Sequence, residues 1–256
     1  MTDIFRLDGK TALVTGAGTG LGQHFAQVLA RAGARVVIAA RRSEKLAETE
    51  SLITAAGGEA FAVSLDVRSA SNISTAFDAA ESRFGAVDIL VNNAGLGGKT
   101  ELVDYQEAKW DAIFDTNVKA AWLLSTELIR RSRQGDSSSI SIVNIASILA
   151  VGAKFGLGPY MASKAAIVQL TRAMALEWGD SGVRANAISP GYFLSEMTEG
   201  LFDTPEGRAM QERIPVRRIG DLHELSGPLL LLASDASTYM NGSVVTVDGG
   251  HLCRTL

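Results

Sequence analysis

The sequence predicts an α/β fold: a doubly wound parallel sheet of about seven strands flanked by helices, within a single domain spanning 1–256. Three observations predict it. Short apolar runs alternate with longer amphipathic stretches, the short runs are apolar throughout rather than at every second position, and glycines mark many of the junctions. A strand apolar on both faces must be covered on both faces, as in a parallel sheet sandwiched between helices.

Taken in order, Thr11–Thr15 reads as the first buried strand, followed by a helix over 21–32 that Gly33 closes. Arg35–Ala40 is the second strand. A helix over 43–56 follows, with Ser43 as N-cap and Gly57-Gly58 as stop. A strand over 60–65, a helix over Ala70–Phe84 and a strand over 87–91 continue the alternation. The stretch 107–132 reads as one long helix, and 134–139 as a polar loop. Then come a strand over Ile140–Ile145, a helix over 159–178, a strand over 183–188, a helix over 222–233 and a last strand over Val244–Val247. The stretch 192–220 has no clear period, and a connection of that length is expected to be a substrate lid.

Composition narrows the functions. Lys and Arg total 24 against 28 Asp and Glu, a net charge of −4, so nucleic acid is not an expected partner. Cys253 is the only cysteine, which leaves no intrachain disulfide and points to a reducing, cytoplasmic compartment. His24, His223 and His251 lack metal-ligand spacing, so no metal is expected. No signal peptide is read in the first ten residues, and the leucine run 229–232 is too short to span a bilayer, so no membrane is expected. Arg130, Arg131 and Arg133 read as a solvated helix end.

The junction between first strand and first helix reads Thr15-Gly16-Ala17-Gly18-Thr19-Gly20-Leu21-Gly22. Here the backbone of a dinucleotide-binding sheet approaches a pyrophosphate, and the following helix offers free N–H groups. The spacing is Gly16-x₃-Gly20-x-Gly22 rather than G-x-G-x-x-G, and a tight structural turn is the alternative reading. At the end of the second strand, Ala40 stands where NAD-binding sheets often carry an acid, and Arg41 and Arg42 follow. An arginine fork suits the 2′-phosphate of NADP, with NAD as the alternative cofactor and solvated helix-start arginines as the bland reading.

Tyr160 and Lys164 lie four apart and share one helix face, where an ammonium would stabilise phenolate and lower the phenol pKa. Tyr105 and Lys109 repeat the spacing, but Asn92 stands thirteen residues before Tyr105, where Tyr160 has Ser147. Ser147 follows the carboxyl end of its strand, on the side where open α/β sheets bind ligands, so Ser147, Tyr160 and Lys164 are expected to converge. Tyr105 is expected to pack or to face solvent.

With these residues in order, the chain resembles a short-chain dehydrogenase/reductase over nearly its whole length, of the NADP-preferring type with an Asn-Ser-Tyr-Lys tetrad. The resemblance rests on the glycine loop from Thr15 to Gly22, Asp66-Val67 after the third strand, Asn92-Asn93-Ala94-Gly95, Asn117, Ser147, Tyr160, Lys164, Pro190-Gly191 and Val247 to Gly250. It implies a Rossmann fold and hydride transfer between a nicotinamide and a ketone or secondary alcohol. Tyr160 would be the acid or base and Ser147 would bind the substrate oxygen. Lys164 would bind ribose, and Asn117 would hold a relay water. It also implies cofactor contacts from Gly16, Thr19, Gly20, Leu21, Gly22, Arg41, Arg42, Asp66, Val67, Asn93, Ala94, Gly95, Tyr160, Lys164, Pro190, Gly191, Phe193 and Ser195. Ser195 stands where the family usually has Thr.

The expected activity is that of a carbonyl reductase or alcohol dehydrogenase on a small-molecule ketone or alcohol. Alternatives are a reductase of carrier-bound 3-oxoacyl chains, which would want a basic docking patch, and a non-catalytic dinucleotide-binding protein. The resemblance further implies a homotetramer. A mainly apolar pocket wall is expected from 96–99, 148–157 and the lid, with Lys154 solvated or facing an anionic substrate group.

Overall fold

The computed structural model describes residues 3–133, 139–194 and 200–253. Seven strands form one sheet in the order β3-β2-β1-β4-β5-β6-β7, and every neighbouring pair is parallel. In chain order the elements are β1 (Thr11–Thr15), α1 (Gly20–Arg31), β2 (Arg35–Ala40), α2 (Ser43–Ala55), β3 (Glu59–Ser64), α3 (Ala70–Phe84) and β4 (Ile89–Asn92). Next come α4 (Glu107–Phe114), α5 (Ala120–Ser132), β5 (Ile140–Ile145), α6 (Gly158–Trp178), β6 (Val183–Pro190), α7 (Pro205–Gln211), α8 (Ser226–Ala233) and β7 (Val244–Val247). The order reverses between β1 and β4, and a crevice opens there beyond the carboxyl ends of the strands.

The strands are apolar throughout because both faces are covered. Successive side chains of a strand point to opposite faces. Ala12 and Val14 of β1 pack with Phe25 and Leu29 of α1, Leu46 of α2 and Leu229 of α8. Leu13 between them packs with Phe77 of α3, Leu124 of α5 and Met174 of α6. Burying a Leu or Phe of this kind contributes about 1.5–3 kcal/mol.

Most predicted elements lie within two residues of the observed ones. Four readings are corrected. Ser43 is the first residue of α2 rather than its cap; Arg42 holds the N-cap position without a side-chain cap. The single helix expected over 107–132 is interrupted at Asp115–Lys119 by a π turn, in which the Ala120 N–H reaches back to the Asp115 carbonyl. The helix over 222–233 begins as a 3₁₀ turn, Leu222–Leu225, before α8. The stretch 192–220 contains α7, whose start carries Thr204 as a capping side chain bonded to the Gly207 N–H, followed by Pro205.

Arg131 also differs from the expectation of a solvated helix end. Its guanidinium forms ion pairs with Asp78, Glu81 and Glu127, each at 2.8 Å, and lies over the Phe77 ring. The guanidinium therefore ties α5 to α3. No helix among the described residues is long and apolar enough to cross a membrane.

Candidate active site

The turn after β1 is built by close backbone approach. Gly16 has φ +65 and Gly20 φ +55, conformations that favour glycine. A Cβ on Gly16 would come within 2.9 Å of the Asn93 amide nitrogen, and one on Gly22 would run into the Gly16 carbonyl. Asn93 is the fastener, because its Nδ2 donates to the carbonyls of Thr15 (2.9 Å) and Gly16 (3.3 Å). The backbone N–H groups of Asn93 and Ala94 both donate to the Thr15 hydroxyl at 3.1 Å. Thr49 braces the outer side by donating to the Ala17 carbonyl at 3.0 Å.

At the start of α1, the N-cap Thr19 makes no side-chain cap bond and no acid stands in the first turn. The helix N-terminus is thus left to an anion, and the residues present fit a dinucleotide pyrophosphate. Leu21 is the second residue of the helix, beside this cradle.

Arg41 and Arg42 are exposed where β2 passes into α2. The Arg41 charge reaches Asp66. Arg68 grips Asp66 from two sides, with Nε and a terminal nitrogen at 3.0 and 2.6 Å. This hydrogen bonding holds the Asp66 carboxyl at about 2. Val67 beside it is buried. Lys45 packs its Cβ against Gly18, a cation beside the loop that no motif marked.

The catalytic candidates gather at the carboxyl ends of β4 and β5. Lys164 is buried on α6, and its Nζ donates to the Ile145 carbonyl at 2.7 Å, at the end of β5. The ammonium lies 5.7 Å from the Tyr160 ring centroid. Ser147 follows β5, accepts the Leu149 N–H and hydrogen-bonds the Tyr160 phenol. Gly95 approaches Asn117 and Lys164 so closely that its Cβ would touch Oδ1 and Nζ at 3.4 and 3.6 Å.

Burial sets the protonation of this pair. It pulls Lys164 down to about 8. It also pushes the Tyr160 phenol up, while the Ser147 hydrogen bond pulls the other way and the neighbouring Tyr192 adds to the rise. The expected lowering of the phenol by Lys164 is therefore corrected. The ammonium is spent on the Ile145 carbonyl, and removal of water around the phenol dominates.

Asn117 sits in the π turn and is 3% exposed. Its Oδ1 accepts the Leu96 N–H at 2.7 Å, and its Nδ2 donates to the Leu96 carbonyl and to Ser163 Oγ, both at 2.9 Å. Ser163 in turn donates to the Tyr160 carbonyl at 2.7 Å. The side chain thus splints the loop after β4 to the helix that carries Tyr160. Ser163 is a link that sequence reading passed over, although a serine three residues after Tyr160 is placed to bond its carbonyl.

On the remaining side, Pro190-Gly191 ends β6, and a Cβ on Gly191 would meet the Asp248 Cα at 2.8 Å. Phe193 is 5% exposed and forms a parallel bridge with Gly220, which presses on its ring. Its side chain packs into the core cluster. Ser195 lies outside the described residues. Phe155 is 75% exposed and Leu194 56% exposed. Tyr105 donates to the Gly98 carbonyl at 3.3 Å, a packing role.

Comparison with known proteins follows the same outline. Residues 16–251 match the family described as enoyl-(acyl carrier protein) reductase. Gluconate 5-dehydrogenase of Gluconobacter oxydans is 38% identical over 249 residues, covering 97% of this chain and 96% of that protein. A short-chain type dehydrogenase/reductase from Mycobacterium marinum superposes with a TM-score of 0.92 at 38% identity, covering 98% of this chain and 99% of that one. A gluconate 5-dehydrogenase from Burkholderia cenocepacia, solved in complex with NADP and tartrate, superposes with a TM-score of 0.93 at 35% identity, covering 99% of each.

Proposed function

Because the chain belongs to the short-chain dehydrogenase/reductase family, we propose that it is an NADP(H)-dependent dehydrogenase interconverting a secondary alcohol and a ketone on a polyhydroxylated acid. The observation that carries this reading is the meeting of Ser147, Tyr160, Lys164 and Asn117 beside a glycine cradle open to an anion. The gluconate 5-dehydrogenases at 38% and 35% identity support the substrate class.

Gly16, Thr19, Gly20, Leu21 and Gly22 would hold the pyrophosphate, and Arg41 and Arg42 the 2′-phosphate. When bound, the nicotinamide supplies or accepts the hydride at the carbinol carbon. Tyr160 gives a proton to the carbonyl oxygen in reduction and takes it from the alcohol in oxidation. Ser147 hydrogen-bonds the same oxygen as charge develops on it. Lys164 holds the ribose hydroxyls, and Asn117 keeps the loop at 96 and the Tyr160 helix in register. The raised phenol suits proton donation.

Trp122 and Leu176, exposed on α5 and α6, support assembly through those helices into the homotetramer expected of the family. The lone cysteine fits a reducing cytoplasm. The carrier-bound alternative loses support, because Arg131 of the arginine cluster is occupied by three carboxylates.

The test is an absorbance assay of gluconate, other hydroxy acids, neutral alcohols, simple ketones and a carrier-bound 3-oxoacyl chain, each with the NADP and NAD couples. The highest kcat/KM should come with a hydroxy acid or its keto form and NADP. A preference for the carrier-bound chain, or no pyridine-nucleotide turnover with any of them, overturns the reading.

A further inference from the structure

We infer that Lys154, held by the Tyr192 hydroxyl, is an anion subsite that receives the carboxylate of the substrate; this rests on the hydroxy-acid reading above and names the residue that would enforce it. Lys154 Nζ donates to Tyr192 Oη at 3.0 Å, lies 3.2 Å from the Met210 sulfur and is 5.0 Å from the Tyr192 ring centroid. These neighbours are neutral, and among the described residues Lys154 forms no ion pair. An ammonium has three donors. A half-buried one facing a phenol and a thioether has given up water without gaining an opposite charge, and an anionic ligand restores that loss.

The position matches the chemistry. The Lys154 N–H approaches the Met161 sulfur at 3.1 Å, and Met161 is the neighbour of Tyr160 on α6. Tyr192 follows Pro190-Gly191 at the carboxyl end of β6, and its field is felt at the Tyr160 phenol. Tyr192 therefore links the two groups: it accepts the Lys154 hydrogen bond, and its charge is felt at the Tyr160 phenol.

The mount is rigid. The Tyr192 ring meets Phe202 edge-on at 5.9 Å and His251 at 5.5 Å. Asp248, the nearby acid, turns its oxygens to the N–H groups of Gly250 and Leu252, both at 2.8 Å. It fixes the turn that carries His251. A cation joined through Tyr192 to the Ser147–Tyr160 pair would select a hydroxylated chain with a terminal negative charge.

The test compares two ligands of the same carbon chain, L-tartrate and neutral L-threitol, titrated calorimetrically into the NADP-loaded protein. Wild type should bind tartrate roughly tenfold or more tighter than threitol, the value of a charge-assisted bond. Lys154→Met should bring the ratio close to one, Lys154→Arg should restore part of it, and Tyr192→Phe should give an intermediate ratio by freeing the ammonium while keeping the ring stack. NADP titration of each variant checks that it is folded. No tartrate binding by wild type, or a ratio unchanged in Lys154→Met, overturns the subsite. Lys154-dependent tartrate binding without any pyridine-nucleotide turnover leaves the subsite standing and sinks the oxidoreductase reading. Tyr160-dependent turnover with an unchanged ratio does the reverse.

Discussion

On the cofactor side of the crevice, backbone holds backbone: Asn93 and Thr15 clamp the glycine turn, and a single added Cβ at Gly16 or Gly22 meets main-chain or clamping atoms. On the proposed substrate side, the side chains sit on connections. Lys154 lies before α6, Tyr192 after β6 and His251 after β7, and each touches another through a ring or a single polar bond. The first construction resists any change of residue at the turn, while the second can change its occupant by changing one side chain. A fold that serves one cofactor and many substrates divides its rigidity in this way.

Four experiments break or sharpen that contrast. The largest effect is expected where the halves meet. Tyr160→Phe should cut kcat by roughly 10²–10⁴-fold, the range of a general acid–base group, while NADPH titration stays near wild type. A variant that keeps most of its turnover removes Tyr160 from the reaction. Next, Gly22→Ala should cost ~2 kcal/mol or more of stability, because the methyl runs into both the Gly16 carbonyl and the Asn93 amide that clamps it. Thermal unfolding and NADPH binding should fail together, and a wild-type melting curve contradicts the clamp.

Arg41→Ala should be gentler and selective. Losing one charge-assisted bond should weaken NADPH by roughly 10- to 100-fold and leave NADH nearly unchanged. Equal losses for both cofactors place the 2′-phosphate elsewhere.

The smallest effect is a pH response. Burial holds Lys164 at about 8, below its ordinary 10.5. Between those values the unfolded chain keeps a proton that the folded one has shed, so stability from this group rises with pH across that window, and its burial cost is fully present below 8. The ammonium is lost over the same range, so NADPH affinity should fall several-fold above pH 8. Lys164→Arg, which stays charged, should flatten that fall. An affinity profile identical in the two proteins separates Lys164 from the cofactor.

Most of the sheet was legible in the sequence. β1, β2, α3, β5 and β7 have the predicted ends, because apolar runs stop at polar or turn-forming residues and nothing competes with that signal. The convergence of Ser147, Tyr160 and Lys164 was legible too, since spacing and strand polarity place them on one edge. What stayed hidden depends on partners far apart in the chain. That Phe193 turns inward follows from Gly220 leaving room beside it. That Lys154 is half-buried rather than solvated follows from Tyr192 and Met210. The upward push on Tyr160 comes from burial, which the four-residue spacing to Lys164 does not contain. α7 was missed for a local reason: seven residues with Gly207 among them carry too little periodic signal.

The π turn at Asp115–Lys119 has a wider consequence. Such a turn is one residue too many in an otherwise regular helix. Removing that residue would let α4 and α5 run on as one rod while Asn117 swings away from the loop at 96. Site and scaffold are therefore separable here by a single codon. An ancestor with a plain helix could acquire the splint by one insertion, and a descendant could discard it without rebuilding the sheet.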